Sequence, residues 1–271
     1  MDYVWFGLGL LALTGLTVLF GLWGRVGVGF FPLWALARAI VQLSIIALLL
    51  RGILAAPWTV VAFLALMLTT ASWTAAGRLH ELRHGRRIAV VGVLAGASLT
   101  LVVIFALRLV ELDVRYLVAV AGIVIGNSMT AATLSGRNFL RASHERRGEI
   151  EAWFALGASP QLAHEEIGQE SVREALLPNL DQTKSTGLVT LPGAFVGALF
   201  GGASPVEAAQ FQLVVLAGIG LAMMTTAIVV TRLAGRNPYA PLAAGPPDSG
   251  GVLHPRRNSR HARGPGGPAN V

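Results

Sequence analysis

The sequence predicts an all-α polytopic integral membrane protein with about seven transmembrane helices, its N-terminus outside and its C-terminus in the cytoplasm. Three observations predict it. First, of 271 residues 54% are hydrophobic and only 13% are charged, about half the charged share of an ordinary soluble domain. Second, apolar segments recur at roughly 3–23, 33–50, 57–76, 88–107, 116–135, 185–201 and 210–231, each near the ~20 residues that cross a bilayer. Third, the arginines gather in alternate loops: 77–87 carries Arg78, Arg83, Arg86 and Arg87, and 136–184 carries Arg137, Arg141, Arg146, Arg147 and Arg173 with Lys184. Basic residues mark the cytoplasmic side, and with seven segments these two loops and the C-terminal tail share it. No cysteine is present, so neither a disulfide nor a thiolate metal site is expected.

The first segment, within MDYVWFGLGLLAL, has no basic flank and no A-x-A-like cleavage site, so it is expected to stay in place as a helix. The second carries Arg38 and Gln42 one turn apart, with Arg38 near enough to the end to snorkel. The third runs into GRLHELRHGRR, and HELRH fits the H-E-x-x-H zinc-protease pattern with His80, Glu81 and His84. That pattern works inside a helix with a third ligand nearby. Here arginines crowd the loop, and Asp181 is the only loose candidate for the ligand. A positive-inside loop is therefore the expectation, and an intramembrane zinc metalloprotease the alternative. Gly92 and Gly96 in the fourth segment are expected to serve helix packing.

The fifth segment holds Gly122 and Gly126, then Asn127, Ser128, Thr130 and Thr133 near its cytoplasmic end. These polar groups either line a path or bond to neighbouring helices. The long cytoplasmic segment, about 136–184, contains Glu149 and Glu151 followed by Trp153, Phe154 and Leu156, then Gly157-Ala158-Ser159-Pro160. This reads as an amphipathic helix that ends at Gly157 and docks into a groove on a partner. The sixth segment, TGLVTLPGAFVGALFGG, is interrupted at Leu191-Pro192-Gly193. Such a break at membrane depth survives against protein or a watery cavity and marks transporter substrate sites. Gly193, Gly197 and Gly201 offer a smooth face for close packing. Residues 1–234 thus form the membrane domain. The rest, 235–271, is a basic tail rich in proline and glycine, expected to be disordered and to touch anionic lipid. Tyr239 is its one aromatic residue, so nucleic acid is not an expected partner.

Glu151-Ala152-x4-Gly157 resembles the EAA-type coupling loop of bacterial ABC-transporter permeases. IGNSMTAATL (125–134), EIEAWFALGAS (149–159) and GLVTLPG…GG.SP…A..FQ (187–212) resemble the FetB family of those permeases, which includes bacterial iron-export permeases and plant aluminium-tolerance relatives. The resemblance covers most of residues 35–232. It implies a homodimeric permease of the inner (plasma) membrane that pairs with a separate ATPase. It would move a metal ion such as iron outward by alternating access, with ATP and Mg on the partner and no cofactor on this chain. In keeping with that division, the chain has no G-x-x-x-x-G-K-[ST] phosphate loop. The implied coupling residues are Glu149, Glu151, Trp153, Phe154, Gly157, Ala158 and Ser159. The implied path residues are Asn127, Ser128, Met129, Thr130, Thr133, Thr190, Pro192, Gly193 and Gln212. Two departures stand out. Ala194-Phe195-Val196-Gly197-Ala198 replaces the stretch rich in methionine, threonine and glutamine expected of the iron-export branch, and Thr130 stands where that branch has asparagine. They leave the substrate open. A non-catalytic membrane scaffold is the remaining alternative.

Overall fold

The computed structural model describes residues 3–27, 29–55 and 58–236. Among them the order is α1 (Tyr3–Trp23), α2 (Phe31–Ala55), α3 (Thr59–Arg78), α4 (Gly85–Ala106), α5 (Val114–Glu145), α6 (Arg147–Ala155), α7 (Pro160–Ala163), α8 (Glu165–Ser185), α9 (Gly193–Phe200) and α10 (Pro205–Ala234). Six of the described helices, α1 to α5 and α10, are long and apolar enough to cross a bilayer. The chain is a multi-pass, all-helical membrane protein. Of the tail, only Gly235 and Arg236 are described; the rest of the tail lies outside the described residues.

Local chemistry sets the helix ends. Asp113 opens α5 by accepting a hydrogen bond from the Arg115 amide at 2.6 Å. Ser204 and Glu207 form a reciprocal capping box at the start of α10, with Pro205 in the first turn, where its missing N–H costs nothing. Between α3 and α4 the chain turns sharply, and His84 adopts a left-handed φ of 60°.

Small residues build the body. A Cβ on Gly92 or Gly96 of α4 would collide with Val230 and Thr226 of α10, so the two helices touch almost backbone to backbone. Gly218 meets Ile104 in the same way. Those pairings make α4 and α10 antiparallel. Tyr116 lies 5.5 Å from Phe211, ring to ring, while Phe139 packs beside Gly235; α5 and α10 therefore run parallel. The core of α3, α4, α5 and α10 includes Ala75, Ala89, Val93, Val120, Val124 and Val230. By contrast, no residue of the apolar window of α2 is buried. Apart from Arg38 and Gln42 its window is mainly apolar, a surface suited to lipid.

Because α5 and α10 point the same way, the chain must return between them, and the return differs from the expected seventh helix at 185–201. Gly187, at φ 94°, and a bridge between Thr186 and Thr190 fold the start of that stretch into a turn. Pro192 is the N-cap of α9, not a break within a helix. The eight residues of α9 span about 12 Å at 1.5 Å per residue, well short of a ~30 Å hydrocarbon core. The return is made instead by α8, the turn and α9 in series. Leu176 and Ala175 of α8 pack with Ala131 of α5 and with Val215, Ile219 and Met223 of α10.

Candidate functional site

Two surfaces carry the residues singled out by sequence. The first stands at the end where α5 stops. There α6 runs Arg147–Ala155 and presents two unlike edges. Ile150 is completely buried, and Phe154 packs against the core. Trp153 and Leu156 point outward, 40% and 82% exposed. The apolar edge is thus divided: Ile150 and Phe154 hold the helix down, and Trp153 and Leu156 remain available. Glu149 is exposed, and Glu151 pairs with Arg147 at 2.7 Å.

The turn after α6 is built by Gly157. Its φ is 83°, its amide donates to the Phe154 carbonyl, and the next amide, of Ala158, donates to Trp153. This is a Schellman closure, which glycine forms without a Cβ penalty. Ser159 then starts α7: its Oγ accepts from the Leu162 amide at 3.3 Å.

Sequence reasoning missed what fastens this unit to the body. His164 is 3% exposed, lies stacked on Phe139 with centroids 5.6 Å apart, and meets Phe154 at 6.1 Å. Its Nδ1 sits 2.8 Å from the Pro160 carbonyl. Arg146 bridges Glu166 at 3.3 Å and Glu170 at 2.8 Å, and Arg141 reaches Glu174 at 3.0 Å. Glutamates at 166 and 170, one helical turn apart, were the readable signal; nothing in the sequence marked His164. Beside the unit opens a cavity of about 690 Å³, whose lining includes Ser159, His164, Gly168, Arg232 and Arg236.

The second region holds the residues expected to line a path, and they divide between its surface and its interior. Asn127 shares the α5 face of Ala131, and its Nδ2 donates to the Ile123 carbonyl at 2.8 Å. Thr130 is exposed. Ser128 faces the opposite way, fully buried, with no partner for its Oγ. Met129 packs against the core, and the Thr133 hydroxyl donates to the Met129 carbonyl at 2.9 Å. Thr190 lies exposed in the 186–192 turn, with Gly193 at the start of α9. Gln212, 5% exposed, accepts from the Phe195 amide through Oε1 at 3.1 Å. It thereby satisfies one of the orphan donors in the first turn of α9. Gly193 and Gly197 meet nothing within 4 Å, so their smooth face is unfilled among the described residues.

HELRH lies outside both surfaces. α3 ends at Arg78 and α4 starts at Gly85, so the two histidines do not share a helical turn. His80 Nε2 is 3.9 Å from Glu81, both side chains about two-thirds exposed, and His80 Nδ1 contacts the Gly77 carbonyl at 2.9 Å. Among the described residues no group of three His, Cys, Asp or Glu side chains is placed to hold a metal ion. Replacing His80 and His84 together with alanine is expected to shift stability by no more than ~0.5 kcal/mol, as for ordinary surface changes. A thermal melt of the detergent-solubilised protein checks this, and a large fall in melting temperature would show that the loop has a role not described above.

UPF0014 membrane protein STAR2 of Oryza sativa subsp. japonica is 37% identical over 225 residues, 82% of this chain and 79% of the relative. Protein ALUMINUM SENSITIVE 3 of Arabidopsis thaliana is 33% identical over 187 residues, 68% of each chain. The "Probable iron export permease protein FetB" of Escherichia coli (strain K12) is 30% identical over 185 residues, 68% of this chain and 71% of that one. No solved structure matches the chain. The model of the uncharacterised protein family UPF0014 matches residues 5–239, and the chain belongs to that family.

Proposed function

We propose that this chain is the permease subunit of an ABC-type transporter, working as a homodimer with two copies of a separate ATPase in the inner (plasma) membrane. The observation that carries this reading is the α6 unit. A short helix is clamped to the body by Ile150, Phe154 and His164 while Trp153 and Leu156 are left outward. An exposed tryptophan on a rigid mount is the kind of anchor that interfaces use. The relative named as an iron export permease supports a metal ion such as iron, carried outward, as the solute. ATP and Mg bind on the partner, and the chain is a transporter subunit, not itself an enzyme.

The helix directions support an orientation with the N-terminus outside and the C-terminus in the cytoplasm. α5 and α10 are parallel, and the basic ends of α3, α5 and α10 lie on one side, which the positive-inside bias places in the cytoplasm. The test is reconstitution of the chain with its ATPase in vesicles, followed by ATP hydrolysis against a panel of solutes. A ferrous ion is expected to stimulate hydrolysis several-fold over magnesium alone. Equal rates with every metal ion tried would remove the metal assignment, and failure of the two chains to co-purify would remove the ABC reading.

A further inference from the structure

The outer face of α8 poses a problem that the described residues do not solve. Gly168 packs beside Thr231, and His164 beside Gly235, so α8 climbs antiparallel to α10. Its upper half, near Asp181 and Lys184, therefore stands beside the α10 stretch around Gly218 and Val215. That stretch belongs to residues 211–230 of α10, which hold no charged residue and mark the hydrocarbon level. Glu166, Glu170, Arg173, Leu177, Asp181 and Lys184 recur at helical spacing on the face opposite Gly168, Ser171 and Ala175. Glu166 and Glu170 are met by Arg146 near the end of α5. Higher up, Arg173 and Leu177 are exposed, and Asp181 and Lys184 pair at 3.4 Å with side chains 68% and 78% exposed. Pro178 lies inside this helix; lacking an N–H, it leaves the Glu174 carbonyl without its helical donor.

Lipid cannot cover this face. Charged side chains at membrane depth are rare unless they face protein or water, and Arg173, Asp181 and Lys184 all stand on this face. One chain cannot enclose water either, because α8 lies at its edge, seated on α5 and α10. A second copy can. A two-fold axis along the membrane normal sets each residue level with its own counterpart. Dry contact would then press Arg173 against Arg173 and Asp181 against Asp181, so the two faces flank water. Leu180, Leu188 and Phe200, 45%, 98% and 89% exposed, and the open Gly193–Gly197 face of α9 supply an apolar rim where copies can seal.

We infer that the outer face of α8 lines a water-filled path within the membrane, and that the facing wall is α8 of a second copy of this chain. The inference deepens the permease reading proposed above and rests on it. It gives the path to a polar helix that hydropathy alone passes over, and it makes the solute a hydrated, charged one.

The chain has no cysteine, so single cysteines can be read directly in native membranes. Leu177→Cys, Asp181→Cys and Lys184→Cys are expected to react with a membrane-impermeant maleimide at least tenfold faster than the lipid controls Leu13→Cys and Val102→Cys, exposed on the apolar helices α1 and α4. Leu177→Cys, which removes no charge, is also expected to cross-link to itself as a dimer with a short bis-maleimide. Labelling no faster than the lipid controls overturns the path, even where the ATPase still co-purifies and the permease reading stands. Labelling without a cross-linked dimer overturns the second copy as the facing wall. Labelling with a dimer but no ATPase association leaves this inference intact and removes the ABC reading instead.

Discussion

Gly96→Leu is expected to abolish accumulation of the folded permease, the largest single-residue effect on its stability. At Gly96 even a Cβ would run into the Thr226 side chain and the Ala222 carbonyl. The carbonyl belongs to a helix backbone and cannot swing aside, so α4 and α10 must separate. Overpacking a well-filled core ordinarily costs ~1–3 kcal/mol. Here the separation also opens the contacts of Gly92 with Val230 and of Gly218 with Ile104, so the upper end of that range applies. Since ~1.4 kcal/mol is tenfold in an equilibrium, the folded fraction should fall by at least tenfold. Size-exclusion chromatography of a fluorescent fusion measures it. Gly9→Leu is the control: nothing lies within 4 Å of that glycine on α1, and its yield should match the parent. Equal yields for the two variants would show that α4 and α10 do not meet as described.

Part of this packing was open to sequence reasoning: Gly92 and Gly96, four apart on an apolar helix, meet α10, whereas Gly193 and Gly197, equally spaced, meet nothing within 4 Å. Six of the seven expected segments coincide with helices, since about twenty mostly apolar residues in a row leave little choice. α8 was hidden for the converse reason. Glu165, Glu166, Glu170, Arg173, Glu174, Asp181 and Lys184 make it read as a cytoplasmic loop. Its buried stripe of Ile167, Gly168, Ser171, Ala175 and Leu176 holds only two large apolar residues, and it shows as a helix face only once α5 and α10 are in place. The segment at 185–201 misled in the other direction. Leu188, Val189 and Leu191 raise its hydropathy, yet all three are exposed on a turn, and the backbone is set by Gly187 and Pro192. Composition reports what a segment can tolerate as surroundings; here the conformation was decided by two residues.

Within α6, Trp153→Ala and Phe154→Ala are expected to fail in different ways, although the two aromatics are adjacent. Phe154 packs inward against His164, so its truncation loosens the mount and lowers thermal stability. Removing a large core side chain costs ~3–5 kcal/mol, and a half-buried one less. Trp153 contributes little to the fold but offers area to a partner. Burying such a side chain is worth about 1.5–3 kcal/mol, so Trp153→Ala should reduce ATPase recovered in a pull-down at least tenfold and leave the melting temperature of the permease alone unchanged. Gly157→Val separates docking from transmission. At φ 83° a residue with a Cβ carries ~1–2 kcal/mol of strain, and a β-branched one is a genuine outlier there. The Schellman closure would open while Ile150 and Phe154 still hold α6. The ATPase should therefore co-purify within twofold of the parent, and solute moved per ATP hydrolysed should fall at least tenfold. The turn matters because it is the rigid joint between α6, which the ATPase would push, and α7 with His164, which lie against α8 and α10. Should Gly157→Val keep the parental transport-to-hydrolysis ratio, force must enter the membrane by another route, and α6 would be a docking plate alone.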